Sequence, residues 1–131
     1  QVSLDEAKKY SLERFAFGRP IGSFQSLKHR MADMYVKIEL ARSNAYYGAW
    51  ALSTDSAELP VAAAGARVSA SDAFNYSSQE NIQIHGGVGF TWEYDCHLFY
   101  RRSKLLSLNI GSQRQWKENL ISNLEKRNIL Q

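Results

Sequence analysis

Apolar residues fall at helical spacings along most of the chain. Leu4, Ala7, Tyr10, Leu12 and Phe15 predict a first helix from Ser3 to about Phe17, with Ser3 and Glu6 as a capping box. "FGRPIGSF" then places a proline and two glycines where a turn is needed. Leu27, Met31, Met34, Ile38, Ala41, Ala45 and Ala49 mark the inward stripe of a long second helix, about Gln25 to Leu52. "STDSAELP" supplies loop chemistry with a proline at its end. A third helix, about Val61 to Ile84, is thick with Ala and Ser, which permits close helix–helix approach. The glycines of "HGGVGF" end it. Two further helices are expected at about Asp95–Leu108 and Ser112–Lys126. No segment alternates convincingly as a strand and no repeat is visible. The expected fold is all-α: an up-down four-helix-type bundle with an additional C-terminal helix.

Composition narrows the function classes. With 131 residues, 44% of them hydrophobic and 22% charged, the chain is about one domain. A net charge of +3 from mixed signs lacks the one-sided basic face of a nucleic-acid binder; Arg101, Arg102 and Lys104 read as a solvated patch. No apolar run approaches the roughly 20 residues that span a bilayer. A single cysteine, Cys96, cannot close an internal disulfide, which favours a reducing, cytoplasmic setting. The helical pattern is already under way at residue 1, with no methionine, as expected for a piece of a longer protein.

Most catalytic templates fail. His29, His85 and His97 have no metal-ligand spacing with one another or with Cys96, so no metal is expected. "GGVG" lacks the preceding strand of a dinucleotide fingerprint. Two stretches remain. Gly86, Gly87 and Gly89, beside Gln83 and His85, could cap a helix or let a phosphate approach bare backbone; pattern alone favours the cap. Arg14 and Phe17, near the end of the first helix, could pair with a phosphate and stack on a flat ligand, or be an ordinary surface arginine and core phenylalanine.

Taken together, "RFAFGRPIGSFQ", "LARSNAYYGAW", "QIHGGVGF" and "YRRSKLL" resemble the C-terminal domain of the acyl-CoA dehydrogenase family, in its order and spacing, from about Leu4 to Leu124. Full-length members of that family add an N-terminal helical domain and a middle β-domain. The resemblance implies FAD at a subunit interface, in a homo- or hetero-oligomer (dimer or tetramer). Arg14 would pair with the pyrophosphate, and Phe17 and Gln25 would line the cofactor's path. Gln83, Gly86 and Gly87 would receive its adenosine-diphosphate portion, and Ser112 would add a cofactor contact. An isolated piece of 131 residues is not expected to hold FAD tightly, and its pairing is expected through Ala/Ser-rich and cofactor-facing surfaces.

The same resemblance implies 2,3-desaturation of an acyl-CoA thioester, with electrons passed to an electron-transfer flavoprotein or similar acceptor, in the cytoplasm or, in a eukaryote, the mitochondrial matrix. Family members take the α-proton with a Glu in a motif Y-R-D-A-K-x-x-x-I-Y-E-G-T. Here the stretch is "YRRSKLLSLNIGS": the Glu position holds Ile110, the preceding Tyr position Asn109 and the Thr position Ser112. An isoleucine takes no proton. Asn109 and Ile110 would instead line the substrate pocket. The base would come from an upstream residue or a partner subunit, the two-chain arrangement being preferred. Alternatively, the scaffold serves as a non-catalytic subunit completing a partner's FAD site, or does other flavin chemistry.

Overall fold

The computed structural model describes residues 1–129. Their regular structure is α1 (Val2–Glu13), β1 (Phe15–Ala16), β2 (Arg19–Pro20), α2 (Gln25–Ser53), α3 (Leu59–His85), α4 (Cys96–Leu108) and α5 (Gln113–Ile129). Short 3-10 turns, Ile21–Ser23 and Gly86–Phe90, lead into α2 and follow α3.

α3 is the central column and packs against α1, α2, α4 and α5. Side-chain pairs fix the directions. Arg30–Glu80 and Lys37–Asp72, each 2.7 Å, lay α2 antiparallel to α3. The Tyr10–His85 stack and the Asn81–Glu6 hydrogen bond (3.3 Å) lay α1 parallel to it. Ser78–Ser103 (3.0 Å) and Arg127–Glu58 (3.0 Å) bring α4 and then α5 down the same column, antiparallel to α3. The result is an all-α, up-down bundle in which α5 continues α4 beyond a short loop. No helix among the described residues is long and apolar enough to cross a membrane.

Small residues make the central helix possible. A Cβ on Gly48 would lie 3.5 Å from Ala66 Cβ, so α2 and α3 approach almost backbone to backbone. Ala62, Ala64, Ser71, Ala73, Ser77 and Ser78 are buried on α3. The Ala/Ser-rich surface expected to pair with another chain is therefore spent inside the bundle. Leu4, Ala7, Met34 and Ile84 form the apolar core, with Leu27, Met31 and Ile38 packed around it.

Four local expectations are corrected. α1 stops at Glu13, because Phe15–Ala16 pairs with Arg19–Pro20 in a two-residue hairpin, a strand too short for any alternation to reveal. Phe15 and Leu12 are consequently exposed. Ser3 lies buried inside α1, whose N-cap is Gln1, and no capping box forms. Ala45 and Ala49 face outward while Asn44, Gly48 and Ala51 turn inward, since steps of four outrun a 3.6-residue turn.

Candidate functional site

The glycine-rich end of the bundle is assembled by rings. His85, on the last turn of α3, stacks on Tyr10 of α1 at 4.2 Å and lies 5.0 Å from Tyr94. Its Nδ1 is 2.8 Å from Asn81 O, which can only accept, so Nδ1 carries the proton. His85 is thus a buried packing residue. Its stack brings the end of α1, and with it Arg14 and Phe17, to the end of α3 with Gln83, Gly86 and Gly87. The antiparallel α2 begins at the same end with Gln25. Six of the sequence-predicted residues therefore gather at one end of the bundle.

The three glycines there do different work. Gly86 is the C-cap of α3, with φ +66° and ψ −140°, a conformation that suits glycine, and its N–H returns to Gln83 O and Ile82 O. Gly89 is packed: a Cβ would meet Ile82 O at 2.8 Å and His85 Cβ at 3.0 Å. Gly87 has no positive φ, and nothing lies within 4 Å of where its Cβ would stand. Backbone conformation thus favours glycine at 86, packing demands it at 89, and neither constrains position 87.

Phe17 and Gly18 form the hairpin turn, both at positive φ (+53° and +76°), the pattern of a type I′ turn. An aromatic residue there is unusual, and Phe17 is 95% exposed. Phe24 meets it edge-on at 6.3 Å and carries the Arg19 guanidinium 4.0 Å above its ring. Arg14 is exposed and its side chain has no hydrogen-bond or ion-pair partner among the described residues. A cleft nearby is rimmed by Glu6, Glu13, Glu93 and Asp95 against Lys9 alone, so an anion fits the Arg14–Gly87 face better than the cleft. Cys96, beneath this end, is fully buried; burial, then the nearby Glu6 carboxylate, pushes its thiol up to about 11. It is protonated and unreactive at neutral pH. No cluster of metal ligands occurs among the described residues.

Asn109, Ile110 and Ser112 are elsewhere. They form the loop between α4 and α5, held against Arg67 on α3. Arg67 and Gly86 are 19 residues apart on one helix, about 28 Å along its axis. Arg67 Nη2 donates to Leu106 O (2.6 Å) and Asn109 O (2.7 Å), and Trp116 Nε1 donates to Ile110 O (2.9 Å). Ile110 is 72% exposed at φ +60°, followed by Gly111 at +104°. Its N–H meets no acceptor among the described residues. Ser112 Oγ accepts from Gln115 N (3.3 Å) and so caps α5. Arg67 and Trp116 were not singled out from sequence. The available signal was that Arg67 is the lone charge between Pro60 and Ser71 on a helix of small residues.

Comparison with known proteins places this geometry. The family profile described as acyl-CoA dehydrogenase, C-terminal domain, matches residues 1–121. Acyl-CoA dehydrogenase IpdE2 of Mycobacterium tuberculosis is 48% identical over 97 residues, 72% of this chain and 28% of that protein. The caffeyl-CoA reductase-Etf complex subunit CarC of Acetobacterium woodii is 34% identical over 124 residues, 95% of this chain and 32% of that subunit. The structure of butyryl-CoA dehydrogenase from Megasphaera elsdenii superposes with a TM-score of 0.88 at 32% identity, over 93% of this chain and 32% of that one. The chain spans about a third of the length of these relatives. With the profile covering nearly all of it and the helices in the same arrangement, the chain belongs to the acyl-CoA dehydrogenase family, as its C-terminal domain.

Proposed function

We propose that this chain is the C-terminal domain of an FAD-dependent dehydrogenase that desaturates acyl-CoA thioesters at the 2,3-bond, with the base supplied from outside residues 1–131. The observation that carries the reading is the convergence of Arg14, Phe17, Gln25, Gln83, Gly86 and Gly87 at one open end of the bundle. Gly87 is the test of fit: it is exposed, with nothing within 4 Å of where a Cβ would stand, so an external ligand can approach its main chain. The unpaired Arg14 guanidinium suits a pyrophosphate, the exposed Phe17 ring suits a flat ring system, and Gln25 sits at the positive end of the long helix α2. FAD, when bound, supplies hydride acceptance from the thioester β-carbon.

The 109–112 loop takes the other role. Asn109 and Ile110 would line the thioester pocket, and the Ile110 N–H, which meets no acceptor among the described residues, is free to donate to a thioester oxygen. Ser112, beside them, contacts the cofactor. The roughly 28 Å along α3 between the loop and the glycine end supports sites shared between copies: each protomer serves one FAD with its glycine end and another with its loop. Exposed Tyr35, Tyr46 and Trp50 on α2 offer apolar surface for such an oligomer. The kinship with a subunit of an Etf complex supports an electron-transfer flavoprotein, or a similar acceptor, as electron partner. The buried lone thiol fits the cytoplasm.

A second reading has its own observation. Ile110, where the family base stands, favours a subunit that completes a partner's FAD site and does no chemistry. Gly87→Val tests the main reading in the full-length protein. Its side chain would enter open space, so the melting temperature of the apoprotein should stay as it is while FAD content falls. Full FAD occupancy in the variant would sink the assignment of this end. Activity of the protein alone, against activity only with a co-expressed partner, separates the two readings.

A further inference from the structure

We propose that Arg67 is a positioning residue for the 109–112 loop, holding residue 110 in a left-handed backbone so that its N–H and side chain face the thioester site. This deepens the acyl-CoA reading above and rests on it.

Ile110 is a poor residue for its conformation. A β-branched side chain at φ +60° costs on the order of 1–2 kcal/mol, where glycine would cost little. Burial does not compensate, because the side chain is 72% exposed. The conformation is therefore imposed by contacts from elsewhere in the chain. One nitrogen of the Arg67 guanidinium bonds both Leu106 O, in the last turn of α4 where carbonyls lack helix partners, and Asn109 O, immediately before Ile110. A cation there also suits the negative end of α4. Trp116 Nε1 then fixes the next carbonyl, that of Ile110. Arg67 has no carboxylate partner among the described residues, so its hydrogen bonds go to main-chain carbonyls. With both carbonyls turned inward, what the loop presents outward is the free N–H and side chain of residue 110. A loop held only to join two helices would adopt this backbone with less strain with glycine at 110. Strain on an exposed residue, maintained from 43 positions away in sequence, points to what the loop displays.

The test compares full-length parent, Arg67→Gln and Arg67→Lys, each loaded with FAD. Hydrogen exchange of the Asn109 amide, whose N–H donates to Leu105 O (3.1 Å) in the turn that Arg67 clamps, should speed up by roughly 10- to 100-fold in Arg67→Gln, the range set by losing hydrogen bonds to a charged donor, with exchange around Gly86 unchanged. Titration with butyryl-CoA and octanoyl-CoA, followed by the flavin spectrum, should show affinity about tenfold weaker at unchanged FAD content. Arg67→Lys should recover part of both effects, since an ammonium can reach one of the two carbonyls; it carries both measurements if Arg67→Gln does not fold. Unchanged exchange at Asn109 overturns the inference. Faster exchange with parental thioester affinity also overturns it, leaving Arg67 a support of α4 alone. A parent that binds neither thioester overturns the acyl-CoA reading and this inference with it, whereas a parent that binds and a variant that binds equally well overturn this inference only.

Discussion

The glycine end and the side loop of this domain both use left-handed backbone, and they reach it by opposite routes. At the glycine end, Phe17–Gly18 and Gly86 adopt positive φ within a two-residue hairpin turn and a helix cap, each closed by near neighbours in sequence. In the side loop, Ile110–Gly111 is held by Arg67, more than 40 residues earlier, and by the indole of Trp116. The glycine end is locally encoded and leaves the main chain at Gly87 bare. The side loop is externally clamped and carries strain that its own residues would not choose. On the proposed reading, a region where a cofactor approaches main chain is written with glycine. On the same reading, a region that presents the N–H of residue 110 to a thioester is held by a brace from outside it.

The largest way to break that contrast acts on the side loop. Ile110→Glu in the full-length, FAD-loaded protein should restore a proton acceptor at the braced position. It should raise acyl-CoA desaturation, assayed with an artificial electron acceptor, by about 100-fold or more. No gain with flavin and thioester both bound would show that residue 110 is not the vacant base position. At the glycine end the effects are on stability and split within one motif. Gly89→Ala forces a Cβ against Ile82 O and should cost about 1–3 kcal/mol, read as a fall of several degrees in melting temperature. Gly87→Ala should leave the melting temperature unchanged, and equal losses at both positions would erase the distinction between packed and open glycines.

A smaller, pH-dependent effect probes the floor of the same end. The Cys96 thiol is raised in the folded state to about 11 from an ordinary value near 9, so the unfolded chain ionises first as pH climbs. The stabilisation is complete below pH 9 and is lost between about 9 and 11, on the order of 2 kcal/mol. Denaturant midpoints at pH 8 and pH 11 should show a larger loss in the parent than in Cys96→Ala, since the raised Lys37 and Tyr76 groups contribute to both.

The helices were legible because their cause is repetitive. The third helix, expected from Val61 to Ile84, runs Leu59–His85, and the fourth, expected from Asp95 to Leu108, runs Cys96–Leu108. Near their ends the expectation failed where a competing local structure was short: a two-residue ladder stopped α1 at Glu13. The glycine cluster was legible as a choice between cap and cradle, and the structure divides the labour, with Gly86 capping, Gly89 packing and Gly87 exposed. The 28 Å between the two groups of candidate residues was not legible, because motif order along a chain says nothing of which column end each motif reaches.

By itself the sequence determined the all-α class and the positions of the long helices, since periodicity and breakers are local properties. Tertiary structure alone decided that Arg14, Phe17 and Gln25 share an end with Gly86 and Gly87, that the Ala/Ser-rich helix is the centre rather than a face, and that Arg67 reaches the loop beyond α4. Those depend on which helices lie against one another. That is settled by the fit of small residues such as Gly48 against Ala66, and by pairs such as Tyr10 with His85 that no single segment contains.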